Sequence, residues 1–189
     1  MTNNPLTEAI ERAAETVRTG GLVAYPTEAV FGLGCDPTVD ATVERLLHLK
    51  RRPPDKGLIL IAAAFDQLEF FLDPLTPAQM QRVERTWPGP VTWLIPASRD
   101  ASALLRGNHD TLAVRVTAHP VAAELCRRAG GALVSTSANL EGEPPATNAA
   151  EVRQIFGDKL DFVLDAPVGD NARPTEIRDA NTSRVIRAG

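Results

Sequence analysis

Apolar residues recur at helical spacing in several stretches of the chain. The first stretch runs from Leu6 to Val17, and Gly20-Gly21 follows it as a stop signal. Similar patterns, several of them opened by an N-cap residue or by proline, predict further helices. Their predicted spans are 39–50, 77–85, 120–129 and 149–156.

Short apolar runs between these helices predict β-strands. The predicted strands are 22–25, 58–61, 91–95, 112–116, 132–136, 162–164 and 184–186. Gly32 and Gly34 interrupt the stretch after the first strand, which we interpret as a loop. Because the strands outnumber the helical crossovers, some neighbouring strands should be antiparallel. The pattern therefore predicts an α/β fold with a mixed sheet, and residues 165–175 form its most loop-like segment.

The composition is that of one ordinary globular domain. The chain has 189 residues, of which 43% are hydrophobic, so we expect a single domain over residues 1–189. No apolar run approaches the roughly 20 residues of a membrane span, and the start of the chain does not resemble an export signal. Cys35 and Cys126 have no metal-ligand spacing and are expected to be reduced, buried thiols. These features favour a cytoplasmic protein without membrane contact.

The charge distribution limits where an anion could bind. The net charge of -4 argues against a surface that binds nucleic acid over its whole extent. Lys50, Arg51, Arg52 and Lys56 nevertheless form a local basic cluster. Such cations also suit the negative end of a helix, so a purely structural role stays open. If residues 50–52 form an extended exit from the helix, Lys50 and Arg52 would point the same way and could hold a triphosphate.

Polar side chains at strand ends supply further candidates. Ser135–Asn139 follows an apolar run, and ligands of open α/β sheets bind beyond the carboxyl ends of strands. Arg115 lies within an apolar strand and needs an anionic partner, either a structural carboxylate or a substrate. The chain has no Walker loop, no nucleophile elbow and no histidine pattern typical of a metal site. The residues alone thus predict an anion-binding protein without a covalent nucleophile.

At these motifs the chain resembles the threonylcarbamoyl-AMP synthase family, also called YrdC-like or TsaC. The matching blocks are Tyr25–Gly34, Lys50-x-Arg52-Pro53, Lys56-Gly57-Leu58, Trp87–Thr92, Leu112–Val116, Ser135–Asn139 and Pro174–Ile177. Their order and spacing agree over about residues 7 to 187 of the chain. The resemblance implies a short bacterial form with a twisted, mixed α/β sheet around a concave, basic cleft.

The resemblance also implies roles for individual residues. Lys50 and Arg52 would hold the phosphates of ATP and act as the catalytic cations. The other expected ATP-binding residues are Thr111, Ser137, Asn139 and Arg187. The expected threonine-binding residues are Thr27, Arg115, Ser135 and Thr175. Thr175 stands where the family commonly has serine, so the hydroxyl is kept and a methyl group is added.

The implied reaction joins ATP, L-threonine and bicarbonate into L-threonylcarbamoyladenylate and pyrophosphate, for threonylcarbamoyladenosine modification of tRNA. The resemblance further implies Mg²⁺ bound with ATP, downstream tRNA threonylcarbamoyl-transferase proteins as partners, and at most a weak tRNA contact. Two alternatives stay open at this point. One is a non-catalytic RNA-binding module that uses the same basic cleft, although aromatic residues are only 5% of the chain. The other is a carbamoyl-transfer domain that acts on a different acceptor.

Overall fold

The computed structural model describes residues 4–170 and 175–188 of the chain, and the fold is an α/β fold. The helices are α1 (Pro5–Arg18), α2 (Asp40–Lys50), α3 (Pro77–Glu84), α4 (Ala103–Arg106), α5 (Pro120–Ala129) and α6 (Ala149–Phe156). Short 3-10 turns at Pro54–Lys56, Phe65–Phe71 and Gly157–Lys159 connect some of these elements. None of the described helices is long and apolar enough to cross a membrane.

Within the described ranges the strands form one mixed sheet. They are β1 (Val23–Pro26), β2 (Phe31–Gly34), β3 (Ile59–Ala62), β4 (Val91–Pro96), β5 (Thr111–Val116), β6 (Leu133–Ser137), β7 (Phe162–Val163), β8 (Glu176–Asp179) and β9 (Val185–Arg187). Their order is β7-β1-β2-β6-β3-β5-β4-β8-β9. The pairs β1–β7, β3–β5 and β4–β8 are parallel, and the remaining pairs are antiparallel. The expected mixed sheet is therefore confirmed.

Most predicted elements are confirmed to within about two residues, the usual uncertainty of an element boundary. Helix α3 begins with a capping box in which Thr76 and Gln79 bond each other's main-chain N–H groups. The Asn148 side chain caps α6 as predicted, but the Glu151 carboxylate accepts from the N–H of Thr147 instead of returning to Asn148. The sequence reading missed the very short α4 as well as β2 and β8.

The prediction of a loop at Gly32 and Gly34 is wrong, because both glycines lie in strand β2. A Cβ atom on Gly34 would meet the carbonyl oxygen of Val134 and would lie 2.8 Å from Cε1 of Tyr25. A Cβ on Gly32 would lie 3.3 Å from Cγ2 of Thr27. These glycines therefore mark close packing across the sheet and not a turn. Sequence alone does not separate these two uses of glycine.

The core lies on both faces of the sheet. Ile61 and Leu133 belong to a hydrophobic cluster with residues of α1 and α5, and their strand neighbours Leu60 and Val134 belong to the cluster on the other face. This division follows from the alternation of side chains along a strand. Cys35 and Cys126 are buried free thiols, as predicted. Of the segment 165–175, residues 171–174 lie outside the described residues, so the prediction of a loop there stays a prediction.

Candidate active site

A cavity of about 260 Å³ lies on the sheet face that carries α1 and α5. Ile61 and Leu133 lie in the cluster with those helices, whereas Ile59 and Ser135, two residues along the same strands, line the cavity. In the register of the sheet Ile59 pairs with Ser135, and Ile61 pairs with Arg115. The part of this sheet face that α1 and α5 do not cover therefore forms the floor of the cavity. The cavity gathers the predicted residues Thr27, Arg52, Arg115, Ser135, Ser137, Thr175 and Arg187.

A second cavity, of about 300 Å³, adjoins the first. Arg52 and Arg187 line both cavities. Thr111 lines the second cavity only, together with Lys56 of the basic cluster. Eight of the ten predicted site residues thus line two neighbouring hollows, with two arginines at their boundary. Among the described residues, Lys50 and Asn139 line neither hollow.

Arg115 has the structural carboxylate that its burial requires. Its NH2 group lies 3.2 Å from Oε2 of Glu28, and both side chains are less than a tenth exposed. The other carboxylate oxygen of Glu28 accepts from the hydroxyl of Thr117 at 2.6 Å and from the N–H of Ala118 at 3.2 Å. Each buried charge compensates the other, although within the described residues Oε2 of Glu28 and Nε of Arg115 make no hydrogen bond, and removing either charge alone would be costly. Glu28 belongs to the matching block Tyr25–Gly34, but the sequence does not show that it pairs with Arg115, which only the fold reveals.

Thr175 is held by two arginines. Its hydroxyl accepts a hydrogen bond from NH1 of Arg115 at 2.9 Å, and its main-chain carbonyl accepts one from NH2 of Arg187 at 2.9 Å. Burial of the Arg187 guanidinium, with a smaller contribution from the positive charge of Arg115, lowers the pKa of Arg187. These contacts link β5, β9 and the start of β8 at the cavity wall. The hydroxyl of Thr175 therefore faces the guanidinium of Arg115.

Lys50 is not in an extended segment, so that part of the sequence interpretation is wrong. It is the last residue of α2, and the next residue, Arg51, has a left-handed conformation with φ of 53°. The Lys50 ammonium donates hydrogen bonds to the carbonyl oxygens of Ser137 and Asn139. Burial, and secondarily the charge of Arg52, lowers the pKa of Lys50 to about 8. Lys50 thus contacts the turn that follows β6 from behind the cavity.

Arg52 follows the left-handed turn and reaches the boundary of the two hollows. Its Nε and NH2 groups donate to the carbonyl oxygen of Gly57 at 3.1 and 2.9 Å. Burial lowers the pKa of this guanidinium, although Glu141 and Asp55 oppose the shift. The guanidinium nevertheless stays charged near neutral pH, because the ordinary pKa of arginine is so high. Arg52 therefore brings a fixed positive charge to both cavities.

The turn after β6 is internally ordered. The hydroxyl of Ser137 donates to Oδ1 of Asn139 at 2.6 Å, and the amide nitrogen of Asn139 donates to the carbonyl oxygens of Leu140 and Glu143. Lys56, across the mouth of this turn, forms an exposed ion pair with Glu141 at 2.5 Å. The side chains of Ser137 and Asn139 thus form one hydrogen-bonded unit, and Ser137 is the member that lines the first cavity.

His119 has a structural role outside the cavity lining. Its Nδ1 accepts from the N–H of Ala122 at the start of α5, and its Nε2 contacts the carbonyl oxygen of Pro167 at 3.2 Å. Burial lowers its pKa, so the neutral ring is favoured. In the described part of the chain, no cluster of three or more His, Cys, Asp or Glu residues could hold a metal ion.

The chain is similar in sequence to a family of known proteins. A family model described as telomere recombination, Sua5/YciO/YrdC, matches residues 15–189. A threonylcarbamoyl-AMP synthase of Nitrosococcus oceani is 57% identical over 178 residues, covering 94% of this chain and 96% of that protein. A protein of the same name from Coxiella burnetii is 49% identical over 181 residues, covering 96% of this chain and 97% of that protein.

A solved structure gives the same fold. The crystal structure of P. abyssi Sua5 complexed with L-threonine superposes with a TM-score of 0.85 and 34% identity over 90% of this chain. This chain spans only 50% of the length of that Sua5 chain. The shared fold is therefore that of one part of a longer protein, whereas the bacterial relatives are matched over almost their whole length.

Proposed function

This chain belongs to the Sua5/YciO/YrdC family, and we propose that it is the enzyme that makes L-threonylcarbamoyladenylate from ATP, L-threonine and bicarbonate. The observation that carries this function is the 57% identity to a threonylcarbamoyl-AMP synthase over 94% of the chain. The product supplies the threonylcarbamoyl group for modification of tRNA, in the cytoplasm. Proteins that transfer this group to tRNA are the proposed downstream partners, and a direct tRNA contact by this chain would be weak.

The first cavity is the proposed site of threonine and its carbamate. Thr27, Ser135 and Thr175 bring hydroxyl groups to it, and Arg115 brings a cation. The threonine amine attacks bicarbonate and water leaves, which gives the carbamate. A volume of about 260 Å³ is small enough to surround an amino acid and limit the access of water. Exclusion of water matters because the carbamate decays in it.

The phosphate chain of ATP is proposed to lie at the boundary of the two cavities. Arg52 and Arg187 line both hollows, so both cations can meet the triphosphate. The Nε and NH2 groups of Arg52 are bonded to Gly57, so NH1 is the group that would bind phosphate. Thr111 lies in the second cavity, on the nucleotide side. Mg²⁺ is proposed to arrive with ATP, held by its phosphates, and to neutralise part of their charge.

The chemical step joins two anions. An oxygen of the carbamate attacks the α-phosphorus of ATP, the bond to the β-phosphate oxygen breaks, and pyrophosphate leaves. Arg52 stabilises the charge that develops on the phosphates, which commonly contributes about 3 kcal/mol or more per contact in such sites. Lys50 contributes by holding the turn of Ser137 and Asn139 against the site. Positioning and electrostatics thus carry the step, and no acid or base residue is required.

The test is an assay of pyrophosphate release with ATP, L-threonine and bicarbonate, each omitted in turn. The proposed enzyme releases pyrophosphate only when all three are present, and mass spectrometry detects the adenylate product. A non-catalytic RNA-binding module would release none. A carbamoyl-transfer domain with another acceptor would consume ATP without regard to threonine. Either of those two results would overturn the proposed function.

A further inference from the structure

In the described structure, Glu28 is buried next to the first cavity but does not line it, and it is connected to the cavity through Arg115. It follows Thr27 in the turn between β1 and β2, where the Thr27 hydroxyl donates to the carbonyl oxygen of Val30 at 2.7 Å. Glu28 is 6% exposed and, in the described part of the chain, does not line the cavity. A buried carboxylate one residue from the proposed threonine site requires a reason for its position.

One oxygen of the Glu28 carboxylate is hydrogen-bonded, whereas the other, although buried, makes only an ion pair with Arg115 and no hydrogen bond to any described residue. Oε1 accepts from Thr117 and from the N–H of Ala118, and Oε2 faces NH2 of Arg115 at 3.2 Å. Its main chain is also enclosed, because a Cβ on Gly169 would lie 2.7 Å from the carbonyl oxygen of Glu28. The carboxylate therefore cannot move without disturbing the end of β5 or the segment at Gly169.

The guanidinium of Arg115 is held between this carboxylate and the cavity wall. NH2 faces Glu28, whereas NH1 donates to the hydroxyl of Thr175, which lines the cavity together with Arg115. Because a guanidinium is planar and rigid, fixing two of its nitrogens sets the direction of its remaining donors. Without the Glu28 carboxylate, Arg115 would keep its charge and its hydrogen bond to Thr175, but it would lose the ion pair that orients its NH2 group.

We propose that Glu28 is a positioning residue for threonine binding, which acts by orienting Arg115 through the buried ion pair. This inference rests on the proposed function, since it assigns the first cavity to threonine. Glu28 touches no substrate itself. Arg52 makes no bond to Glu28, and Arg187 is connected to it only indirectly, through Thr175 and Arg115, so we expect the effect of Glu28 to fall mainly on the threonine side of the site.

The test compares the binding of L-threonine and of ATP to Glu28→Gln by calorimetry. Glutamine keeps the size of the side chain and an oxygen that can accept from Thr117, but it removes the charge that faces Arg115. We expect the Kd of threonine to rise about tenfold, because the buried guanidinium of Arg115 loses the ion pair that orients it. The Kd of ATP should stay within about twofold, because Arg52 is held by Gly57 and Arg187 by the main chain of Thr175, neither of which the substitution removes.

A matched control separates positioning from loss of stability. Val83 is a buried residue of α3, and in the described structure no residue of α3 lines either cavity. Val83→Ala leaves a void in the core where α3 packs, so it should lower the melting temperature and leave both Kd values unchanged. If Glu28→Gln behaves like this control, Glu28 is merely structural and the proposal is overturned. If both Kd values rise together, the effect is not confined to threonine and the proposal is also overturned.

A second variant keeps the inference testable if Glu28→Gln does not fold. Glu28→Asp retains the charge but is one methylene shorter, so it cannot reach both Thr117 and Arg115. Threonine binding weakened by a few fold, with ATP binding retained, supports the proposal, and unchanged threonine binding overturns it. Failure of the wild-type protein to bind threonine would instead count against the proposed function.

Discussion

The Nζ atom of Lys50 lies 2.8 Å from the main-chain carbonyl oxygen of Asn139. The same ammonium also donates to the side-chain oxygen of Asn139, at 3.2 Å, and to the carbonyl oxygen of Ser137. An ammonium has three hydrogens to donate, so these oxygens occupy all of them. Lys50 therefore joins the end of α2 to the turn after β6, which carries the proposed nucleotide-binding residues Ser137 and Asn139.

This contact predicts a pH dependence of ATP binding. The pKa of Lys50 is lowered to about 8, mainly by burial. Below that pH the ammonium is charged and holds the turn, whereas above it the proton is lost and both the charge and a donor disappear. We expect the affinity for ATP to fall progressively between pH 8 and 10, measured by calorimetry. Lys50→Met should bind ATP weakly with no such decline, and an identical decline in that variant would assign it to another group.

Arg52 and its neighbour offer a matched pair of variants. Arg52→Ala should lower the rate of threonine-dependent pyrophosphate release by about 100-fold or more, because it removes a cation that meets the transition-state charge. Arg51→Gly removes an adjacent, exposed charge at a residue with φ of 53°, where glycine is favoured. This control should retain near wild-type activity. Equal losses in both variants would show that the general charge of the cluster matters and not the position of Arg52.

Thr175 can be tested by removing either its hydroxyl or its methyl group. Thr175→Val keeps the shape but loses the acceptor for NH1 of Arg115. An unsatisfied buried donor costs about 1–3 kcal/mol, so the KM for threonine should rise about fivefold or more. Thr175→Ser keeps the hydroxyl and should stay close to wild type. Steady-state kinetics with varied threonine measures both, and a larger effect in the serine variant would contradict the assigned hydrogen bond.

The close packing around Gly34 predicts that replacing it lowers the stability of the protein, whereas replacing a glycine in an open loop would not. In Gly34→Ala the new Cβ would meet the carbonyl oxygen of Val134 and the Tyr25 ring, and a main-chain oxygen in a sheet cannot easily move. We expect a loss of about 1–3 kcal/mol in the free energy of unfolding, measured by denaturant titration. Gly131→Ala is the control, because a Cβ there meets nothing within 4 Å. Equal stability of the two variants would mean that β2 is not packed as described.

The two cysteines should be unreactive in the folded protein. Burial raises the pKa of both Cys35 and Cys126 to about 12, so almost no thiolate exists at neutral pH. A thiol–disulfide reagent should therefore modify neither residue under native conditions and both in denaturant. Mass spectrometry counts the modified residues. Rapid modification of either cysteine in the native protein would contradict its burial.

Sequence reading performed best where one short stretch carried all the information. Helix α5 was predicted at its observed bounds, because its apolar spacing, Pro120 and Gly130 are local signals. Strands β2 and β8 were missed for the opposite reason. β2 contains Gly32 and Gly34, whose meaning depends on Tyr25 and Val134 in other strands, and β8 has no apolar run and depends on pairing with β4 and β9.

The sequence by itself determined the α/β class, the mixed sheet, the buried thiols and, through its motif blocks, the family. Local patterns singled out Arg52, Arg115, Ser135 and Ser137 among the cavity residues, whereas Thr111, Thr175 and Arg187 were implied only by the resemblance. Only the tertiary structure decided which groups meet: Arg115 with Glu28, Lys50 with the turn of Asn139, and Arg187 with Thr175. Glu28 and Asn139 lie more than 80 residues from their partners Arg115 and Lys50, and such contacts are set by distance and burial in space, which the order of residues does not contain.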